Sequence, residues 1–470
     1  MPRSLTHDLP AQIRWATGLV GLALGVGFLW FDRKLDLTGV WVRLPLWGRV
    51  VALAAFACVL FLIRPRLHWG DSAALVSALD GGVHRWNPRW LTGMVGLAYV
   101  FDPLRATMSG TLFLTLAYIG LGCLDLVLLM ATLRIVSDGR KVPGAAVLFA
   151  IASPATLFLM SGYLEIYAMP QFGIVAFLWA AAAFSVRRPW MGFPSFGLVG
   201  GLATMLYVGN MILLPLGTAL MGARLLAEFD QGWKARLRPA IEFGAGALLG
   251  LYASLCLVIG EFLPGVGRLV AAVSSILSEP GLVLRNEASG AAWYSPLADS
   301  LTPTRAREYA EVWSLYGFFG LLFLLTLASM LIVDTPLRRW ALRASADGFL
   351  PMLAGLITTH LVASYFKSRP MGWRDWDLFT YAVYPVNLLA ACLLMRLQQV
   401  PIVEAVGRTL SICGSVWCLM VYAYLNPVRP EWGGLPLRKR VSAFESYCPM
   451  SRVPASDAES RGIRETSPFP

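Results

Sequence analysis

Residues 109–133 read SGTLFLTLAYIGLGCLDLVLLMATL, an apolar run broken by a single charged side chain, Asp125. A helix rises about 1.5 Å per residue and the bilayer hydrocarbon is about 30 Å thick, so about 20 such residues cross it. The run therefore decides the fold class, because backbone polar groups in lipid are satisfied only within helices or closed barrels. Comparable runs lie at 15–31, 50–63, 143–160, 166–186, 243–259, 313–333, 349–365, 378–395 and 403–425. Together they predict an all-α, polytopic transmembrane bundle of about ten spans plus half-length or re-entrant helices.

The composition agrees, with 57% hydrophobic and 14% charged residues, against about a quarter charged in soluble proteins. A net charge of +11 raises the question of nucleic acid. The Lys and Arg, however, are spread over short loops beside the run ends, which suits topogenic signals and anionic headgroups rather than a nucleic-acid partner. Six of the seven cysteines fall inside apolar runs, and no CxxC pair or disulfide framework is present. The first run ends in Phe31-Asp32-Arg33-Lys34 without a small-residue cleavage site and reads as an uncleaved span.

Short loops rich in Lys and Arg mark the cytoplasmic side. The clusters Arg33/Lys34/Arg43/Arg49, Arg134/Arg140/Lys141, Arg187/Arg188, Arg224/Lys234/Arg236/Arg238 and Arg338/Arg339/Arg343 can share that side on one condition. The stretch 193–221 must enter and leave by the same face. Gly200, Gly201, Gly209, Asn210 and Pro215 break it into two short pieces, as a re-entrant hairpin requires. The outer segments are then 64–108, 161–165, 261–312 and 367–377. Within the first, 73–79 reads as a short interfacial helix, and 91–100 is too short to span. The chain thus divides into a transmembrane domain, 1–425, with outer loops 64–108 and 261–312, and a polar, flexible tail, 426–470.

Under this topology Asp71, Glu165, Asp375 and Asp377 all fall at span ends on the non-cytoplasmic face, and ionisable residues at a membrane edge point to a site. Three constellations hold them. In His68-Trp69-Gly70-Asp71-Ser72 the carboxylate stands at a helix start, where it serves either as an N-cap or as a reactive group. In Ser161-Gly162-Tyr163-Leu164-Glu165-Ile166-Tyr167 a tight turn holds Glu165 beside two tyrosines, as a site carboxylate or as a helix N-terminal acid. In 367–377, KSRPMGWRDWD, Lys367, Arg369 and Arg374 stand with Asp375 and Asp377. They form either a self-contained ion pair or what a lipid-linked phosphate with a divalent cation needs. Asp125 is the exception in mid-span, a packing partner or a proton-handling group. No Walker loop, HExxH, GxSxG or dinucleotide fingerprint occurs, and His7, His68, His84 and His360 lack metal-ligand spacing.

The layout resembles the GT-C superfamily of membrane glycosyltransferases. More narrowly, it is similar to a group of bacterial membrane proteins related to those enzymes. The likeness rests on His68 with Gly70-Asp71, the Gly162-Tyr163-Leu164-Glu165-Ile166-Tyr167 turn and Arg374-Asp375-Trp376-Asp377, in that order. The resemblance implies transfer of a sugar from a polyprenyl-phosphate carrier at the non-cytoplasmic face of the bacterial inner membrane. Asp71 and Glu165 are then the catalytic candidates, and His68, Lys367, Arg369, Arg374, Asp375 and Asp377 the substrate-binding ones. A divalent cation, if used, would find Asp71, Asp375 and Asp377. Ser72 stands where many members carry a second acid. Two rivals are open: a multi-span transporter or lipid flippase, suggested by Asp125 and the broken segment 193–221, and a non-catalytic assembly protein.

Overall fold

The computed structural model describes residues 19–27, 29–30, 37–64, 76, 101–162, 167–206, 208–228, 232–259, 263–271, 301–334, 338–339, 348–366 and 380–425. Every regular element among them is helical. The principal helices are α1 (Leu46–Ile63), α2 (Gly110–Val136), α3 (Gly144–Ile151), α4 (Pro154–Met160), α5 (Ala168–Ser185), α6 (Phe193–Met205), α7 (Leu213–Glu228), α8 (Trp233–Ile259), α9 (Pro303–Tyr316), α10 (Phe318–Val333), α11 (Phe349–Phe366), α12 (Thr380–Leu397) and α13 (Pro401–Leu425). The chain divides between Leu425 and Asn426, and everything after that point lies outside the described residues.

Six helical stretches among the described residues are long and apolar enough to cross a membrane: Leu46–Ile63, Gly110–Val136, Ala168–Ser185, Asn210–Glu228, Trp233–Cys256 and Pro401–Val421. They mark an integral membrane protein. Four shorter apolar helices accompany them, Phe193–Thr204, Phe318–Val333, Phe349–Val362 and Val383–Leu397. Two runs that the sequence presents as single spans are divided. The run 143–160 is split into α3 and α4, because Pro154 cannot supply the amide that a continuous helix needs. Ser153 starts the second piece by accepting from the Thr156 amide at 3.1 Å. The run 313–333 is divided at Gly317, where a Cβ would stand 2.7 Å from the Trp313 ring. Part of the long outer loop 261–312 is also helical, in α9.

Cross-helix contacts give each helix its direction. In α1 and α2, Leu60 packs on Ile119 while the Cys123 thiol reaches the Leu53 carbonyl, so the two run antiparallel. In α2 and α5, Gly162 at the entry of α5 lies against Thr115 and Ile119, and Gln171 bonds Asp125, so these run parallel. Helices α6 and α8 are also parallel. Gly197 and Gly201 let the α6 backbone meet the Phe243 and Ala247 carbonyls, while Gly246 and Gly250 meet those of Pro194 and Leu198. Small residues at this spacing are the usual means by which membrane helices approach backbone to backbone. Helix α7 must therefore return, which makes 193–228 a hairpin whose two ends lie together, as the charge pattern demands. Its short arm, α6, has 13 residues, about 20 Å of helix.

The hairpin tip, a 3-10 turn over Val208–Ile212, is held against α5 and α6 by a side chain. Asn210, fully buried, holds it by donating from Nδ2 to the Pro170 and Ala203 carbonyls, both at 3.1 Å. Gly173 leaves room for that amide. At the hairpin base, the Arg224 guanidinium donates to the Phe184 carbonyl and Glu228, and covers the Phe184 and Phe193 rings. Glu228 also pairs Arg187 at 2.8 Å. Helix α11 lies antiparallel to α7, with Gly348 at Leu220 and Gly355 at Leu216. The starts of α10 and α12 meet through Gly317 at Val383 and Gly320 at Asn387. Most of α5 is buried, whereas α1 buries only Leu60, so α5 lies at the centre and α1 at the lipid-facing rim.

Candidate functional site

These directions place the basic clusters at one end of the bundle: the start of α1, the end of α2, the α5–α6 connection, the α7–α8 connection and the end of α10. The other end gathers the places where the acid-bearing segments leave and re-enter. They are the end of α1 at Arg64, the turn between α4 and α5, the end of α11 and the start of α12. The candidate residues themselves, His68, Asp71, Glu165, Lys367, Arg369, Arg374, Asp375 and Asp377, lie outside the described residues. What is described are the anchors on either side of them.

Each anchor has a local cause. Arg64 closes α1 by donating to the Phe61 carbonyl at 2.6 Å with its guanidinium over the Phe61 ring. Gly162, at φ +86°, allows the chain to turn directly after α4, and a Cβ there would touch Thr115 and Ile119 at 3.3 Å. Gly122 admits Met160 still more closely, with 2.8 Å from a would-be Cβ to the Met160 Cα. The end of α4 and the glycine after it are thus wedged onto α2.

The end of α11 is held by α9. Arg305, buried, donates from Nε and Nη2 to the Tyr365 carbonyl, each at 3.1 Å, and places a cation on a helix C-terminus, where the dipole favours it. Tyr309 donates to the Leu361 carbonyl at 3.0 Å and shares a 2.8 Å hydrogen bond with Ser364. Burial pushes the Tyr309 hydroxyl above its ordinary pKa, opposed by the Ser364 and Trp313 side chains and by the Arg305 charge. Helix α9 and the end of α11 are therefore tied together.

One polar cluster is fully described. Asp125, 4% exposed, accepts at Oδ2 from Gln171 Nε2 at 3.0 Å, while Oδ1 has no hydrogen-bond partner among the described residues. Tyr384 of α12, 3% exposed, likewise has a hydroxyl without a hydrogen-bond partner among the described residues. Gln171 lies in the first turn of α5, just past Glu165, and Tyr384 in the first turns of α12, just past Asp377. The start of α5 thus meets α2 at a buried carboxyl group.

Asp125 stands out in the sequence as a lone mid-span acid, whereas Gln171 and Tyr384 do not. A glutamine and a tyrosine in apolar runs have no distinctive spacing, and only their proximity to motif ends hinted at a role. Among the described residues no group of three or more His, Cys, Asp or Glu is placed to hold a metal. No protein-family model, curated protein or solved structure matches the chain.

Proposed function

We propose that the chain is a GT-C-like membrane glycosyltransferase of a bacterial inner membrane, moving a sugar from a polyprenyl-phosphate carrier to an acceptor at the non-cytoplasmic face. The observation that carries this reading is the common end shared by the boundaries of 65–75, 163–166 and 367–379, opposite the basic clusters that the positive-inside rule assigns to the cytoplasm. Outside the 193–228 hairpin, five of the long apolar helices and three of the shorter ones remain, and the helical residues 19–27 and the α3–α4 pair bring the spans of this reading to about ten.

In this reading Asp71 takes the proton of the acceptor hydroxyl, whose oxygen bonds to the anomeric carbon. The bond from that carbon to the phosphate oxygen breaks, and the lipid phosphate leaves with the electron pair. Lys367, Arg369 and Arg374, with His68, offset the charge of the leaving phosphate. Asp375 and Asp377 orient the arginines or hold a divalent cation, and Glu165 shares the same edge. Mass spectrometry of lipid-linked and envelope glycans is the test, comparing native cells with cells carrying only Asp71→Asn at matched protein level. Loss of a glycosyl unit with accumulation of the polyprenyl-phosphate sugar is expected. Unchanged glycans refute the reading.

A transporter or lipid flippase is the second reading, and the buried Asp125 cluster favours it, because polar groups at depth between helices frame substrate sites in such proteins. It expects Asp125→Asn to abolish export of a lipid-linked intermediate while Asp71→Asn leaves it intact.

A further inference from the structure

Two apolar runs that break part-way along their length meet at one cavity. It is lined by α3 and α4 where 143–160 is interrupted, by the start of α10 from Gly317, and by Asn387 of α12 and Ser411 of α13. Phe149 of α3 packs on Phe323 of α10, with ring centroids 5.1 Å apart, and a Cβ at Gly414 of α13 would stand 3.3 Å from Phe319. Asn387 and Ser411 lie near the middle of their helices, so the cavity sits deep in the bundle. The interruption leaves acceptors there. Ala152, at φ −85° and ψ 62°, makes an inverse γ-turn in which the Ser153 amide donates to the Ile151 carbonyl at 2.9 Å. Pro154 has no amide to give. The Phe149 and Ala150 carbonyls thereby lose the donors that a continuous helix supplies, and Phe149 lines the cavity.

Two side chains that face the cavity have hydrogen-bonding capacity to spare. Asn387, 2% exposed, has no hydrogen bond to its side-chain amide among the described residues, and a Cβ at Gly320 would overlap its Oδ1. Ser411, 1% exposed, commits its proton to the Arg408 carbonyl at 2.9 Å and keeps lone pairs that can only accept. We propose that the cavity is a hydration site in the membrane interior, holding one water molecule between the broken end of α3, Asn387 and Ser411. The size fits, because the cavity volume is about 10 Å³, close to what one water requires. The chemistry fits as well. The Phe149 carbonyl and Ser411 accept while Asn387 Nδ2 donates, so a water that donates twice and accepts once meets all three. A cation could use the acceptors only, and among the described residues no carboxylate lines the cavity to balance its charge. Ordered water is one of the means by which backbone freed at a break in a membrane helix is satisfied. The site accounts for the meeting of the two interruptions at one place, and it rests on neither reading of the function.

The test is X-ray radiolytic labelling of the full chain in lipid nanodiscs. Hydroxyl radicals form from the waters in place and oxidise the side chains beside them, and mass spectrometry reads the result residue by residue. Phe149, 4% exposed, is expected to be oxidised well above Phe177 and Phe196, which are fully buried away from the cavity. Asn387→Leu keeps the side-chain volume and removes the donor. It should cut Phe149 oxidation about tenfold, the effect of one hydrogen bond on affinity. Ser411→Val fills the space and removes an acceptor, with a loss of similar size, which keeps the test decisive if Asn387→Leu does not fold. Replacing sodium by choline at fixed ionic strength should change nothing. The proposal is overturned if Phe149 is labelled no more than Phe177 and Phe196, or if either variant labels Phe149 as wild type does. It is also overturned if the labelling depends on sodium, which would put a cation in the site.

Discussion

Substituting alanine at Gly201 should open the α6–α8 contact. A Cβ at Gly201 would overlap the Ala247 carbonyl oxygen and stand 2.8 Å from the Leu251 nitrogen, roughly 1 Å inside ordinary carbon–backbone contact. Neither obstacle is a side-chain end that can swing aside, so the helices must separate. Separation weakens the backbone contacts at Gly197, Gly246 and Gly250 as well, since all four glycines share one register. Overpacking of this kind costs about 1–3 kcal/mol, and the lost Cα–H···O contacts about 0.5–1 kcal/mol each, so a destabilisation of about 3 kcal/mol is expected. Gly244 supplies the control, because it is in α8 and a Cβ there meets nothing within 4 Å. There the same substitution only removes backbone entropy from the unfolded chain and should stabilise by about 0.5–1 kcal/mol. Equilibrium unfolding in mixed micelles, followed by tryptophan fluorescence, measures both. Combining Gly197→Ala with Gly201→Ala should cost less than the two added, because the first already parts the helices. A Gly201→Ala variant within 0.5 kcal/mol of wild type, or one indistinguishable from Gly244→Ala, refutes the parallel backbone-to-backbone packing and with it the hairpin direction of 193–228.

Two further outcomes test the hairpin tip and the α9–α11 contact. Asn210→Ala strips donors from the Pro170 and Ala203 carbonyls in a fully buried site and should destabilise by about 2 kcal/mol; hydrogen exchange should rise at the hairpin tip before it rises elsewhere, and uniform loss of protection would contradict the role assigned to Asn210. Tyr309 ionises less readily folded than unfolded, so the stability it contributes is complete below its unfolded pKa of about 10 and is lost as pH rises through the higher folded value. Tyr309→Phe should therefore be less stable than wild type at neutral pH yet lose less stability on alkaline titration, a difference read from melting curves of the two proteins.

The membrane fold was legible because it depends on local quantities. A long apolar run such as 109–133 has few ways to be satisfied, and the Lys and Arg clusters orient it independently of packing. The broken character of 193–221 was legible for the same reason, through glycines, Asn210 and Pro215. The interruptions of 143–160 and 313–333 were missed as boundaries although Pro154 and Gly317 mark them, since hydropathy is insensitive to a single residue that ends a helix. Of the candidate site, the sequence offers the edge acids Asp71, Glu165, Asp375 and Asp377, all of which lie outside the described residues.

The sequence alone determined that this chain lives in a bilayer as helices, and which face each loop prefers, because burial and topogenic charge act residue by residue. Only the tertiary structure decided that α6 and α8 run parallel with α7 returning between them, and that Arg305 ties the outer loop to the end of α11. It also decided that Asp125 and Gln171 meet inside the bundle. Those facts depend on which backbone can approach which other, and a residue's own hydropathy carries no information about its partner on a distant helix.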